Sequence, residues 1–217
     1  NSSATAAGDL SAIVAGVKGS TKATTEVNDP NKTVNYVTCH DNYTLYDRIK
    51  AAGIKDESTV KKMAMLANSL VFTSNGTTFM LAGEEFLRTK GGNSNSYNAS
   101  YKVNELDYSL KVKNIDMFKN YQKLLKLKQE VTGLALGQGE NNTVVADTSK
   151  GNIISYQVND TVTNRTYKII HCNGYNSGSL GSVDLSGYTL YLDTINANKV
   201  LSNSTKLEAY ETLIAYK

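Results

Sequence analysis

The sequence predicts an α/β segment followed by an all-β segment, and three observations carry that reading. Two short β-rich runs, at 34–39 and 77–82, are separated by a stretch with helical spacing. A second helical stretch covers about 114–130. Beyond Gly133 the texture becomes short β-rich runs divided by Gly, Asn, Ser and Asp. Strand–helix alternation implies parallel strands with helical crossovers, and regular short strands with turn signals imply an antiparallel sandwich. The change divides the chain into 1–131 and 132–217.

Residues 1–29 are small and polar apart from an apolar patch, Leu10 to Val17, which reads as a helix and a loop. Val34-Asn35-Tyr36-Val37-Thr38-Cys39 reads as a buried strand ending at the polar cluster His40-Asp41-Asn42. Over 57–73, Val60, Met63, Ala64, Ala67, Leu70 and Val71 fall at helical spacing, with Ser58 or Asp56 as the cap. Ser74-Asn75-Gly76 ends that helix. Thr77 to Ala82 is a second buried strand, stopping at Gly83-Glu84-Glu85.

A polar loop from Arg88 to about Ser109 follows, and loops of that length inside compact domains usually serve function. The helix after it has Ile115, Phe118, Leu124, Leu125 and Leu127 as apolar positions, with Lys119, Lys123, Lys126 and Lys128 on a wet face. The later strands are Thr143–Ala146, Ile153–Val158, Thr166–His171, Thr189–Leu192 and Thr212–Tyr216. Two parallel strands cannot close a (β/α)8 barrel, which needs about 250 residues. The first part is therefore a small open sheet or a slice of something larger.

Composition narrows function. Basic and acidic residues number 23 and 20, and no basic stripe stands out, so nucleic acid is not an expected partner. No apolar run reaches the ~18 residues of a membrane helix. The two cysteines, Cys39 and Cys172, are expected to be free thiols. The only histidines, His40 and His171, belong to no paired-ligand pattern, so no metal site is expected.

Three runs carry a resemblance. They are Asp29 to Asp47, which contains Cys39-His40-Asp41-Asn42-Tyr43-Thr44; Leu81-Ala82-Gly83-Glu84-Glu85-Phe86-Leu87-Arg88-Thr89-Lys90-Gly91-Gly92; and Asn95-Ser96-Tyr97-Asn98, with Asn104-Glu105-Leu106-Asp107-Tyr108 after it. Together they resemble the last two strands of the α-amylase superfamily barrel in its type I pullulanase branch. The resemblance implies the C-terminal slice of a (β/α)8 TIM barrel, about its last two strand–helix units, followed by a β-sandwich. Tyr46 and Tyr108 stand where the family usually has tryptophan, and Cys39 where alanine is common.

The resemblance also implies chemistry. Retaining glycoside hydrolysis needs a carboxylate nucleophile and a general acid/base across the scissile bond. Asp41 would be the third carboxylate, stabilising the transition state through hydrogen bonds to sugar hydroxyls that tighten as the ring flattens. His40 would orient the same sugar, and Asn42, Arg88, Asn95, Tyr97 and Asn98 would bind substrate or shape the cleft. Glu84 and Glu85 would support the strand end rather than act as a catalytic pair. Nothing in residues 1–29 matches the nucleophile or the acid; Asp9, Glu26 and Asp29 are the acids there. The parent is thus expected to be a debranching hydrolase cleaving α-1,6 bonds of pullulan, starch or glycogen-type glucans, and this chain alone to be inactive.

The alternative is a non-catalytic glucan-binding module built from the loop and the sandwich. Expected partners are the α-glucan and the upstream part of the barrel, or a second copy covering the strand edges. No cofactor is required, although calcium in the parent is compatible with the barrel-loop Asp and Asn residues. Abundant Asn, Ser and Thr suggest an extracellular or cell-surface protein. Tyr156, Tyr167, Tyr175, Tyr188 and Tyr210 read as packing residues with wet hydroxyls, and His171 as a strand histidine without a catalytic role.

Overall fold

The computed structural model describes residues 6–19, 32–135, 145–147, 153–174 and 180–217. Glu26, Asp29 and Tyr175 lie outside the described residues, as do residues 143–144 of the expected first sandwich strand. The apolar patch near the N-terminus is helix α1, Ala6–Val17.

The two β-rich runs pair in parallel as β1 (Val34–Asn35) and β2 (Thr77–Thr78), with Val34 opposite Thr77. The crossover between them is α2 (Leu45–Ala51) and α3 (Glu57–Thr73). Both strands are shorter than expected, and the backbone continues past them as irregular chain. Their outer face is also not buried: Val34 is 58% and Tyr36 55% exposed, and Phe79 meets Tyr36 edge-to-face at 6.0 Å. The two strands pair only with each other, so among the described residues no third strand pairs with either outer edge.

Asp56 caps α3, its carboxylate accepting from the Thr59 N–H at 2.7 Å. The buried face of α3 is wider than the apolar spacing implies. Asn68, Ser69 and Thr73 are fully buried, and each donates back to the carbonyl four residues earlier, which satisfies its donor inside the helix, while the Asn68 Oδ1 has no partner among the described residues.

The expected loop from Arg88 to Ser109 contains one turn of helix, α4 (Tyr101–Asn104), and α5 (Ser109–Lys113) begins at its end. Helix α6 (Ile115–Glu130) follows. Its inward stripe is Met117, Tyr121, Leu124 and Leu127, whereas Ile115 and Leu125 point outward at 44% and 40% exposure. Lys128 departs from the wet face. It is half-buried, donates to the Ser74 carbonyl at 2.5 Å at the C-terminal end of α3, and has its pKa pushed down to about 8 by desolvation.

After α7 (Thr132–Ala135) comes an antiparallel sheet in the order β3-β4-β5-β9-β7, formed by Val145–Asp147, Ile153–Asp160, Arg165–Cys172, Glu211–Tyr216 and Thr189–Asp193. A two-stranded piece, β6 (Ser182–Val183) with β8 (Thr205–Lys206), was not legible in the sequence. Alternation along each strand sends side chains to opposite faces. Tyr156, Val158, Tyr167, Ile169 and Ile214 join Phe72, Tyr121 and Leu124 of the helices in one core. Ile153, Ile170, Cys172, Leu213 and Ala215 pack on the other face against Leu185, Val183 and Leu207. Tyr156 and Tyr167 are buried packing residues. The helix-side core is continuous across residue 131, so the sheet and the helices stabilise one another.

Candidate functional site

The parallel pairing sets the irregular chain after β1 beside the chain after β2. Phe79 N–H donates to the Asn35 carbonyl at 2.9 Å, extending the pairing one step. Beyond it, the Thr38 hydroxyl donates to the Glu84 carboxylate and ties the two strand ends together. Gly83 has φ +96°, and a Cβ there would lie 2.7 Å from Arg88 Cβ, so this tight turn requires glycine. Glu84 opens the 3-10 turn Glu84–Phe86, and burial, with Glu85 beside it, pushes its pKa up to about 8. Glu84 joins the two strand ends and does not line the cleft that His40 and Asp41 border.

His40, Asp41 and Asn42 leave this strand end into solvent. Asn42 has φ +62°, a conformation asparagine tolerates better than most residues. The chain then turns into α2, where Thr44 accepts from the Asp47 N–H at 3.2 Å as the helix cap. His40 Nε2 lies 3.5 Å from Asp41 Oδ1, and the two side chains are 84% and 71% exposed.

A cleft of about 230 Å³ opens at this point. It is lined by His40, Asp41 and Asn42 on one side, by Leu81 and Arg88 below, and by Lys90, Ser94, Asn95, Ser96, Tyr97 and Asn104 from the loop. Six of the seven residues singled out in the sequence therefore border one cleft. Asn98 does not line it and faces solvent. Arg88 serves first as a brace: its guanidinium donates to the Ala82 carbonyl at 3.3 Å and to the Asn104 carbonyl, holding the loop closed. Neither Tyr46 nor Tyr108 lines the cleft; Tyr46 donates to Glu57, and Tyr108 packs on Phe86.

Two residues that hold the cleft in shape escaped the sequence reading. Buried Asp47 accepts from Thr89 Oγ1 at 2.5 Å and from the Lys90 N–H at 2.7 Å. Lys90, only 6% exposed, donates from Nζ to the His40 carbonyl at 3.0 Å. Desolvation, with Arg88 nearby, lowers the Lys90 pKa. Both residues stand in the quoted motifs, but their partners lie 43 and 50 positions away, and sequence spacing carries no signal of that.

Exposed acid, imidazole, amides and a tyrosine around an open polar cleft suit recognition of hydroxyl-rich ligands. No family model matches the chain. The Bacillus subtilis pullulanase is 36% identical over 101 residues, covering 45% of this chain and 14% of that protein. The chloroplastic pullulanase 1 of Arabidopsis thaliana is 39% identical over 82 residues, covering 37% and 8%. The solved Bacillus acidopullulyticus pullulanase superposes with a TM-score of 0.79 at 30% identity, over 96% of this chain and 26% of that one. By sequence over part of its length, and by fold over nearly all of it, this chain is similar to one part of these pullulanases. It spans only a small share of its relatives' length. The Anoxybacillus sp. LM18-11 pullulanase, solved with maltotetraose, shares the fold with a TM-score of 0.80 at 23% identity, over 97% of this chain and 31% of that one.

Proposed function

We propose that this chain is the segment of a retaining α-glucan debranching hydrolase that contributes Asp41 as the carboxylate stabilising the transition state. The nucleophile and the general acid come from residues outside these 217. The observation that carries the reading is the place of Asp41: at the rim of a polar cleft, on the irregular chain that continues a strand paired in parallel with its neighbour, across from the Asn95–Tyr97 loop. Sites on parallel-strand barrels collect at that end of the strands.

In this reading the Asp41 carboxylate accepts hydrogen bonds from two hydroxyls of the sugar being cleaved. Those bonds strengthen as positive charge develops on the ring, so they lower the barrier more than they tighten ground-state binding. His40 donates to the same sugar, and Asn95 and Tyr97 shape the far wall. The α-1,6 preference, an extracellular or cell-surface setting and an absent upstream barrel portion belong to the same proposal. The exposed Val34, Tyr36 and Phe79 supply the apolar face which that portion, or a second copy, would cover.

The test is reconstitution. This chain is mixed with a fragment carrying the upstream barrel of a relative, and reducing ends released from pullulan are measured. Activity in the mixture and none in either part is expected, with Asp41→Asn abolishing it. A verified but inactive complex, or a fully active Asp41→Asn complex, would overturn the assignment. A second reading, a glucan-binding module without catalysis, gains support from the saccharides held by structural neighbours such as the Anoxybacillus enzyme. Calorimetry with maltotetraose separates it: binding by this chain alone, with no activity on reconstitution, would favour the module.

A further inference from the structure

The same stretch of chain sets a thiol beside the two groups assigned to the saccharide. Cys39, His40 and Asp41 present a thiol, an imidazole and a carboxylate whose ligand atoms all lie within 4.8 Å of one another. We propose that these three residues bind a borderline divalent transition cation of the Zn²⁺ class at the mouth of the cleft.

The geometry is close to what such an ion requires. Zn–S of about 2.3 Å with Zn–N and Zn–O of about 2.1 Å place tetrahedral ligand atoms roughly 3.4–3.7 Å apart. The His40 Nε2 to Asp41 Oδ1 edge is already 3.5 Å. The remaining edges close by side-chain rotation, and the exposure of His40 and Asp41 leaves them free to rotate. Three protein ligands leave a fourth position for water, as in open zinc sites.

The donor set selects the metal class. A thiolate with an imidazole favours zinc or another late first-row ion, and disfavours calcium and magnesium, which take oxygen ligands. The neighbouring Lys90 ammonium, whose Nζ rests on the His40 carbonyl, repels a cation, so the three donors must outweigh that repulsion. Spacing rules miss the site because they look for ligands on one helix face or across a hairpin. Here three consecutive residues converge because their backbone is neither helix nor strand.

One consequence rests on the glucan reading: an ion on Asp41 and His40 would compete with saccharide for the same groups. The site itself is tested without saccharide. The reduced 217-residue chain is titrated with Co²⁺, then with Zn²⁺ as competitor, following the thiolate-to-cobalt charge-transfer absorption. One ion per chain with that absorption is expected, displaced by Zn²⁺. Cys39→Ala should abolish the band and weaken Zn²⁺ binding by more than the ~10–100-fold typical of losing an outer-shell partner. Asp41→Asn should weaken it about tenfold or more while keeping the band. Circular dichroism verifies that each variant folds. Absence of a band, or a band of unchanged intensity in Cys39→Ala, where buried Cys172 remains, would overturn the proposal. Saccharide calorimetry with and without Zn²⁺ then tests competition separately, so failure of the glucan reading does not mask the metal result.

Discussion

The carboxylate of Asp47, in the first turn of α2, takes the backbone N–H of Lys90 at 2.7 Å. Together with the Thr89 hydroxyl, which donates to the same carboxylate, that bond joins the segment after β1 to the loop after β2. Lys90 returns the connection, its ammonium resting on the His40 carbonyl at 3.0 Å.

Removing this clamp should be costly. Asp47→Ala leaves the buried Lys90 N–H without its acceptor and frees Thr89. Hydrogen bonds to charged groups contribute about 1.5–3 kcal/mol each. With two such bonds lost, urea unfolding should show a loss of about 3–6 kcal/mol. Asp47→Asn, which keeps one acceptor oxygen, should lose less.

Glu84 should make stability fall as pH rises. Its folded pKa is raised to about 8, from 4.5, by burial. Between those values the unfolded chain ionises and releases a proton that the folded chain retains. Ionisation therefore favours unfolding progressively from about pH 4.5 to about pH 8, and the effect levels off above. Glu84→Gln should flatten this part of the stability profile, by on the order of 2–4 kcal/mol at the alkaline end. Denaturation midpoints at pH 5 and pH 8.5 check it.

His171 should oppose acid conditions. It is 2% exposed and sits between Thr73 Oγ1 at 3.0 Å and Thr212 Oγ1 at 2.9 Å, with the Tyr156 hydroxyl 3.3 Å away. Desolvation lowers its pKa to about 3. The unfolded imidazole gains its proton below about pH 6.5 and the folded one only near pH 3, so stability is lost progressively as pH falls from about 6.5 to about 3. An imidazole signal in NMR spectra that stays in the neutral position down to about pH 4 is the expected observation.

Gly133 marks where the helices meet the sheet. A Cβ there would lie 2.6 Å from the Asn159 carbonyl oxygen and 2.6 Å from Val158 Cγ1. Gly133→Ala must shift α7 off β4, and overpacking of this kind costs about 1–3 kcal/mol. Thermal unfolding should show a single transition at lower temperature, because the core on both sides of residue 131 is shared.

Much of the fold was legible because local patterns decide it. The α3 span, with Asp56 as one of its two candidate caps, the parallel relation of the two β-rich runs, and the five later strands as far as the described residues reach follow from period, turn residues and capping chemistry. The misread positions have a common cause. Met117 and Tyr121 carry the inner stripe of α6, and Lys128 is drawn inward, because the partner surface selects which face is buried. In the cleft, polar residue types in the quoted motifs pointed to His40, Asp41, Asn42, Arg88, Asn95 and Tyr97. Asn98 looked equivalent by type and is turned away.

By itself the sequence determined residue chemistry and local conformation: which stretches coil or extend, where turns fall, and which polar groups stand at strand ends. Only the tertiary structure decided that Asp47 holds Lys90, that Thr38 reaches Glu84, and that Cys39 joins His40 and Asp41. The first two contacts span 43 and 46 residues. Partners so far apart in the chain meet only after burial of the shared core has offset the entropy of closing the loop between them. The third joins neighbours whose convergence depends on an irregular backbone that packing, rather than local propensity, imposes.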